Sequence, residues 1–177
     1  MVNTFFTDKN PVSSAKNLNY PKLQGKMIIE TSQMLAVSLL EQNHYSPIQQ
    51  FNPKHQSSLW INLSKSNFKW GLLHLEALLD IYDIKYEQPN NYSNSRQLLV
   101  ICKYLFYELK FKYEELTLPH LAFTKGNEDL KEKYGSSNGT FYVANSFSDA
   151  EIAYKEYLSR KSYWQKSYRW FGSTANL

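Results

Sequence analysis

The sequence predicts an all-α fold: one small domain, residues 1–177, built as a bundle of four to five helices behind a short extended N-terminal segment. Three observations point to it. Apolar residues recur at helical spacing in long stretches. Helix-starting Ser, Asp and Asn residues stand just ahead of several of them. A chain of 177 residues without repeats or low-complexity tracts fits one domain of about 100–200 residues.

Taken in order, residues 2–7 read as extended. Asp8-Lys9-Asn10-Pro11 reads as a turn into a helix over 13–18, which Asn19-Tyr20-Pro21 breaks. The clearest helix covers 25–40, where Met27, Ile28, Met34, Leu35 and Leu39 form a broad apolar face. Residues 43–58, rich in Asn, Gln, Pro and Ser, read as a connection. A third helix starts at Ser64 or Ser66, either of which suits an N-cap. It carries Phe68, Leu72, Leu75, Leu79 and Tyr82 on one stripe and Glu76, Asp80 and Asp83 on another. The pattern returns over 94–114 with Leu98, Cys102, Leu105, Phe106 and Leu109. Pro119, Gly126, Gly135 and Gly139 mark 117–146 as a long irregular loop. Ser148-Asp149-Ala150-Glu151 has the form of a capping box and opens a last helix over 149–166.

Composition narrows the function classes. Twenty Lys+Arg against 16 Asp+Glu give a net charge of +4, which permits a polyanionic partner without requiring one. The 14 Tyr, 10 Phe and 4 Trp suit half-buried sites and recognition surfaces alike. Cys102 has no partner for an internal disulfide, and its apolar run predicts a buried structural thiol in a reducing compartment. The N-terminus lacks the basic start and apolar stretch of a signal peptide, and no run approaches a spanning helix. A cytoplasmic protein without membrane contact is expected. No Gly-rich phosphate loop, paired-cysteine motif, H-E-x-x-H or G-x-S-x-G is present. His44, His55, His74 and His120 are dispersed, so neither a metal nor a cofactor is expected. His74, one turn after Trp70, reads as a structural histidine.

Three features could carry chemistry. Glu30 is the only charge between Lys26 and Glu41 in a strongly apolar helix, a costly place unless it is paired or lines a pocket. Lys26, Glu30 and Gln33 share one helical stripe, so the alternative is a solvated edge with an ordinary Lys26–Glu30 pair. The segment 160–172 interleaves four cations with five aromatics and has no acid. Its cations suit phosphates and its rings suit stacking on bases, or else Trp164, Trp170 and Phe171 dock the last helix on the core. His55, Trp60, Asn67 and Trp70 bracket the entry to the third helix, either as the wall of a polar–aromatic pocket or as capping and packing.

The stretch from Asn19-Tyr20-Pro21 through Lys26-Met27-Ile28-Ile29-Glu30 to Gln33-Met34-Leu35 resembles the segment around the essential glutamate of pyrimidine-dimer DNA glycosylases of the endonuclease V type. Nearly the whole chain is similar to a set of uncharacterised phage proteins. They share a short N-terminal strand, a D-x-N/D-P turn (here Asp8 to Pro11), a K-M-I-x-E-x-x-Q-x-L helix (Lys26 to Leu35) and an H-P-x-x-x-W block (His55 to Trp60). Tyr168-Arg169-Trp170-Phe171-Gly172 resembles the aromatic–basic ending of the glycosylases.

The resemblance implies a DNA-binding phage protein in the cytoplasm of the infected host. It would be a base-excision glycosylase/lyase acting on damaged or modified pyrimidines in double-stranded DNA. Glu30 would be the catalytic carboxylate that stabilises a cationic intermediate and shuttles protons. The nucleophile would be the Val2 amine exposed by removal of Met1, with Lys22 or Lys26 as the fallback amine if Met1 stays. An α-amine near pKa 7.7–8.0 is partly neutral at physiological pH. Lys22, Lys26, Gln33, Lys166, Tyr168, Arg169 and Trp170 would contact DNA. Ile29 and Gln33 stand where the glycosylases carry basic groups, and Val2 where their best-known members carry Thr. Two alternatives stay open: a non-catalytic factor that binds DNA or a host protein, and an enzyme on modified bases or nucleotides that leaves the strand intact and uses the pocket around His55, Trp60 and Asn67.

Overall fold

The computed structural model describes residues 3–18 and 21–161, and for Pro21 and Lys22 the backbone alone. Among these residues seven helices and a two-stranded sheet follow in the order α1 (Pro11–Asn17), α2 (Pro21–Glu41), α3 (Gln56–Ile61), α4 (Lys65–Tyr86), α5 (Ser93–Leu105), α6 (Glu128–Tyr134), β1 (Gly135–Ser137), β2 (Tyr142–Ala144) and α7 (Phe147–Ser159).

The third of the expected helices becomes the central element. Ser64 caps α4 by accepting from the Asn67 N–H at 3.0 Å. The apolar stripe of α4, with Phe68, Leu72, Leu75 and Leu79 all buried, packs against α1, α2, α3 and α5. The helix ends where Glu87 takes a left-handed conformation at φ 52°. In α2 the expected face is present, with Met27, Ile28, Met34, Leu35 and Leu39 fully buried. At α1, Asn10 accepts from the N–H groups of Val12 and Ser13 with Pro11 in the first turn, so the helix starts two residues earlier than the pattern predicts.

The architecture departs from a four-to-five-helix, all-α bundle in three places. Residues 43–58 do not all form a connection: His55 caps the short α3 through Nδ1, which accepts from the Ser57 N–H. The helix expected over 94–114 stops at Leu105. Beyond it the chain brings the carbonyls of Tyr113 and Glu114 to the Lys65 and Ser66 N–H groups, free donors in the first turn of α4. Nor is 117–146 an irregular loop. It holds α6 and the antiparallel β1–β2 hairpin, in register Gly135 to Ala144. The hairpin turn runs through Asn138 and Gly139, whose φ of +91° suits glycine. Asn138 Oδ1 fixes that turn by accepting from the Thr140 and Phe141 N–H groups. A Cβ at Gly135 would come within 2.8 Å of both Leu121 and the Val143 carbonyl, so β1 needs glycine to start there. The last helix is capped two residues before the expected site: Ser146 accepts from the Asp149 N–H while its hydroxyl meets the Asp149 carboxylate. The helix also ends early, at Ser159 with Arg160 as its C-cap, where the pattern predicts it to run to 166.

The extended N-terminal segment is present but enclosed. Residues 3–7 are all buried. Phe6 packs on Trp60, Trp70 and Phe147, while Phe5 packs on Tyr154 and Tyr157. This segment therefore joins the layer around α4 to the unit of α6, hairpin and α7 in one continuous hydrophobic core.

Candidate functional site

Burying the N-terminal segment carries its backbone to Glu30. The Asn3 N–H donates to Glu30 Oε2 at 3.2 Å, and Lys26 Nζ, one turn earlier on α2, lies 3.6 Å from Oε1. Glu30 is 7% exposed, so it is no solvated edge of an amphipathic helix. Burial pushes its carboxyl above the ordinary range, against the opposing pull of the Lys26 ammonium and the Asn3 N–H. A carboxyl held in this way gives and takes protons closer to neutrality than a surface glutamate.

Asn3 organises the approach. Its side-chain carbonyl accepts from the Phe5 N–H at 3.1 Å, an Asx turn, and its amide donates to the Ala122 carbonyl at 2.7 Å. Phe5 sits at φ 42°, a left-handed conformation uncommon for an aromatic residue. The turn directs the chain into the core on one side and toward Glu30 on the other.

Of the expected DNA contacts, Lys26 is half exposed and Gln33 half buried on the same stripe of α2. Val2, Lys166, Tyr168, Arg169, Trp170 and the Lys22 side chain lie outside the described residues. The start of the 160–172 segment is engaged within the protein. Arg160 pairs with Asp129 and Glu156. Lys161 donates to Thr124 Oγ1 at 3.1 Å and lies over the Tyr157 ring.

The residues around the entry to α4 cap and pack. Trp60, Asn67 and Trp70 are buried. Trp60 Nε1 donates to the Thr117 carbonyl, and Trp70 Nε1 donates to the Lys9 carbonyl. Asn67 donates to the Trp60 carbonyl and Thr117 Oγ1 and accepts from the Thr117 N–H. His55 is half buried as the α3 cap. The polar groups of Trp60, Asn67 and Trp70 are occupied by neighbouring backbone and side chains. Cys102 and His74 are buried as expected. Burial raises the Cys102 thiol to about 12 and lowers His74 to about 4, with His74 Nδ1 held on the Pro11 carbonyl.

Sequence reasoning did not single out Asn3. An Asn two residues before a Phe hints at an Asx turn, but its bond to residue 30 depends on tertiary packing. Among the described residues no group of three or more His, Cys, Asp or Glu side chains is arranged to hold a metal, and no helix is long and apolar enough to cross a membrane. Comparison with protein-family models, curated proteins and solved structures finds no match for the chain.

Proposed function

We propose that the protein is a DNA-binding base-excision glycosylase/lyase acting on damaged or modified pyrimidines, with Glu30 as its carboxylate and the Val2 amine as its nucleophile. The observation that carries this reading is the hydrogen bond from the Asn3 N–H to Glu30. It keeps the residue one peptide link from Val2 against a buried carboxylate. Val2 itself is outside the described residues, and the chemistry requires removal of Met1.

In this reading the Val2 nitrogen attacks C1′ of the damaged nucleotide and the C1′–base bond breaks, the base leaving with its bonding pair and taking up a proton. Glu30, protonated, donates to the ring oxygen as the sugar opens; the nitrogen loses a proton and the C1′–nitrogen iminium forms. The resulting carboxylate stabilises that cation, then removes a proton from C2′ as the 3′ phosphate departs. Its raised pKa suits both directions of transfer. Lys26 and Gln33, with Lys22, Lys166, Tyr168, Arg169 and Trp170, supply phosphate and base contacts.

Borohydride trapping on DNA that carries abasic sites or ultraviolet photoproducts tests the proposal. A covalent adduct mapped to the N-terminal amine, with turnover lost in Glu30→Gln, is expected. DNA binding without any adduct overturns the amine-nucleophile chemistry and leaves the non-catalytic binder or an enzyme on modified bases that spares the strand.

A further inference from the structure

Between the C-terminal half of α2, α3 and the hairpin turn lies an open cavity of about 410 Å3, within the range of ordinary small-molecule sites. Its lining separates by chemistry. Val37, Leu59 and Leu63 supply apolar surface. His120 and Phe141 add an aromatic pair, stacked with centroids 5.2 Å apart and planes at 24°. The pair is set by backbone pairing: the Pro119 carbonyl and the Leu121 N–H bond to β2, which brings His120 beside the hairpin.

The polar groups of this lining are incompletely used. His120 Nδ1 lies 2.9 Å from the Gln56 carbonyl. A carbonyl only accepts, so Nδ1 carries the proton, and in the neutral ring Nε2 is a bare acceptor. Burial lowers the His120 pKa and so favours that neutral ring. Ser58 is fully buried, and its hydroxyl has no partner among the described residues. That enclosure keeps the hydroxyl out of reach of a ligand, so Ser58 only shapes the wall. Asn138 spends its carbonyl on the turn, which leaves its amide donors. Glu41 adds a carboxylate acceptor. Lys112, the one cation in the lining, has no carboxylate partner among the described residues.

Apolar and aromatic surface, donors from Asn138, acceptors from His120 and Glu41 and a lone ammonium match a planar heteroaromatic ring that bears its own donors and acceptors and carries an anion. We propose that this cavity binds a nucleotide, its base against Leu59 and Phe141 with an edge toward His120 and Asn138, and its phosphate at Lys112. The site is separate from Glu30: Val37 lies seven residues further along the same side of α2, about 10 Å up the axis. The proposal does not depend on the Glu30 chemistry.

The test is a nuclear magnetic resonance titration of the full chain with adenosine and cytidine monophosphates, their nucleosides, inorganic phosphate and a short single-stranded oligonucleotide. Monophosphates should shift the His120 ring and Asn138 side-chain amide signals. Lys112→Ala should weaken monophosphate binding about tenfold and leave nucleoside binding unchanged, a pattern mere loss of structure does not produce. Leu59→Trp, filling the cavity from a half-exposed position, should weaken both. If it does not fold, Lys112→Ala at the surface still decides the matter. Saturable monophosphate binding that the oligonucleotide does not share supports a free nucleotide as occupant. Binding of the oligonucleotide in competition with the monophosphate supports a base presented by a strand. Signals that stay in place with every nucleotide and the oligonucleotide, or that move equally with phosphate alone, overturn the proposal.

Discussion

The Asn3 N–H and the Glu30 carboxylate are hydrogen-bonded at 3.2 Å across 27 positions of sequence. Phe5 and Phe6 bury the next turn of chain in the core, so the contact is held by packing on both sides. An isolated surface bond would be exchanged for water, whereas here the donor and the acceptor are both enclosed.

Glu30→Gln follows directly from this enclosure. The folded carboxyl has a raised pKa, so the folded state binds a proton more tightly than the unfolded one. Its stabilising contribution is present below the unfolded pKa and is lost as pH rises through the folded value. Gln keeps an acceptor for the Asn3 N–H and removes the buried charge. Urea titrations between about pH 4 and about pH 8 should show a variant at least as stable as the wild type at the upper end, with the difference shrinking as pH falls. Under the proposed function the same variant loses strand cleavage. A stable, fully active Glu30→Gln would leave the carboxylate without a catalytic role.

Asn3→Ala should act differently. It removes the acceptor for the Phe5 N–H and the donor to the Ala122 carbonyl, both buried, while the residue-3 N–H remains. Stability should fall by about 2 kcal/mol, the scale of stranding buried polar partners, read as a lower urea midpoint. Under the proposed function cleavage falls as well, because the chain that leads to Val2 loses its Asx turn. A variant with native stability would mean that the turn is held by Phe5 packing alone.

How much of this was legible in the sequence follows from the range of each signal. The α4 stripe and its Ser64 cap are local, and residues three or four apart suffice to show them. Glu30 stood out because a lone charge in an apolar helix is unusual at any register. The helices α3 and α6 span only six and seven residues, too short for periodicity to emerge above their Ser, Asn and Gly neighbours. The hairpin had its turn residues in view, Asn138-Gly139, but strands of three residues carry no alternation to read. His120 and Phe141 meet only because 119–121 pairs with β2, and the Asn3–Glu30 bond needs the whole core. Trp60, Asn67 and Trp70 left pocket and packing undivided on spacing alone, and their hydrogen bonds assign them to packing.

His74 gives a prediction of opposite sign to Glu30. Burial lowers its pKa from 6.5 to about 4, so the unfolded state protonates first as pH falls. The stability this neutral ring provides is present above about pH 6.5 and drains away toward pH 4, by roughly 3 kcal/mol in total. His74→Gln cannot titrate. It should be less stable near neutrality, since it loses the stacking on Trp70, yet its urea midpoint should decline less steeply over that window. His55 and His120 are also lowered by burial, so part of the slope should remain. Parallel wild-type and variant curves would show that His74 does not govern acid stability.

Asn67 separates support from contact at the entry to α4. Its side chain satisfies the buried Trp60 carbonyl and the half-buried Thr117 N–H and Thr117 Oγ1. Asn67→Ala strands those groups and opens a small void, so a loss of about 2–4 kcal/mol is expected. Asn67→Asp keeps the acceptor for the Thr117 N–H but turns the other oxygen toward the Trp60 carbonyl. That repulsion and the buried charge should make it no better than Ala at neutral pH. Because Asn67 does not line the cavity beside His120, mononucleotide binding to whatever fraction remains folded should keep its wild-type affinity in both variants. Thermal melts read the first effect, and titrations well below the melting temperature read the second. If instead affinity falls while the melt is unchanged, Asn67 touches a ligand directly and the sequence-level pocket reading is restored at that residue.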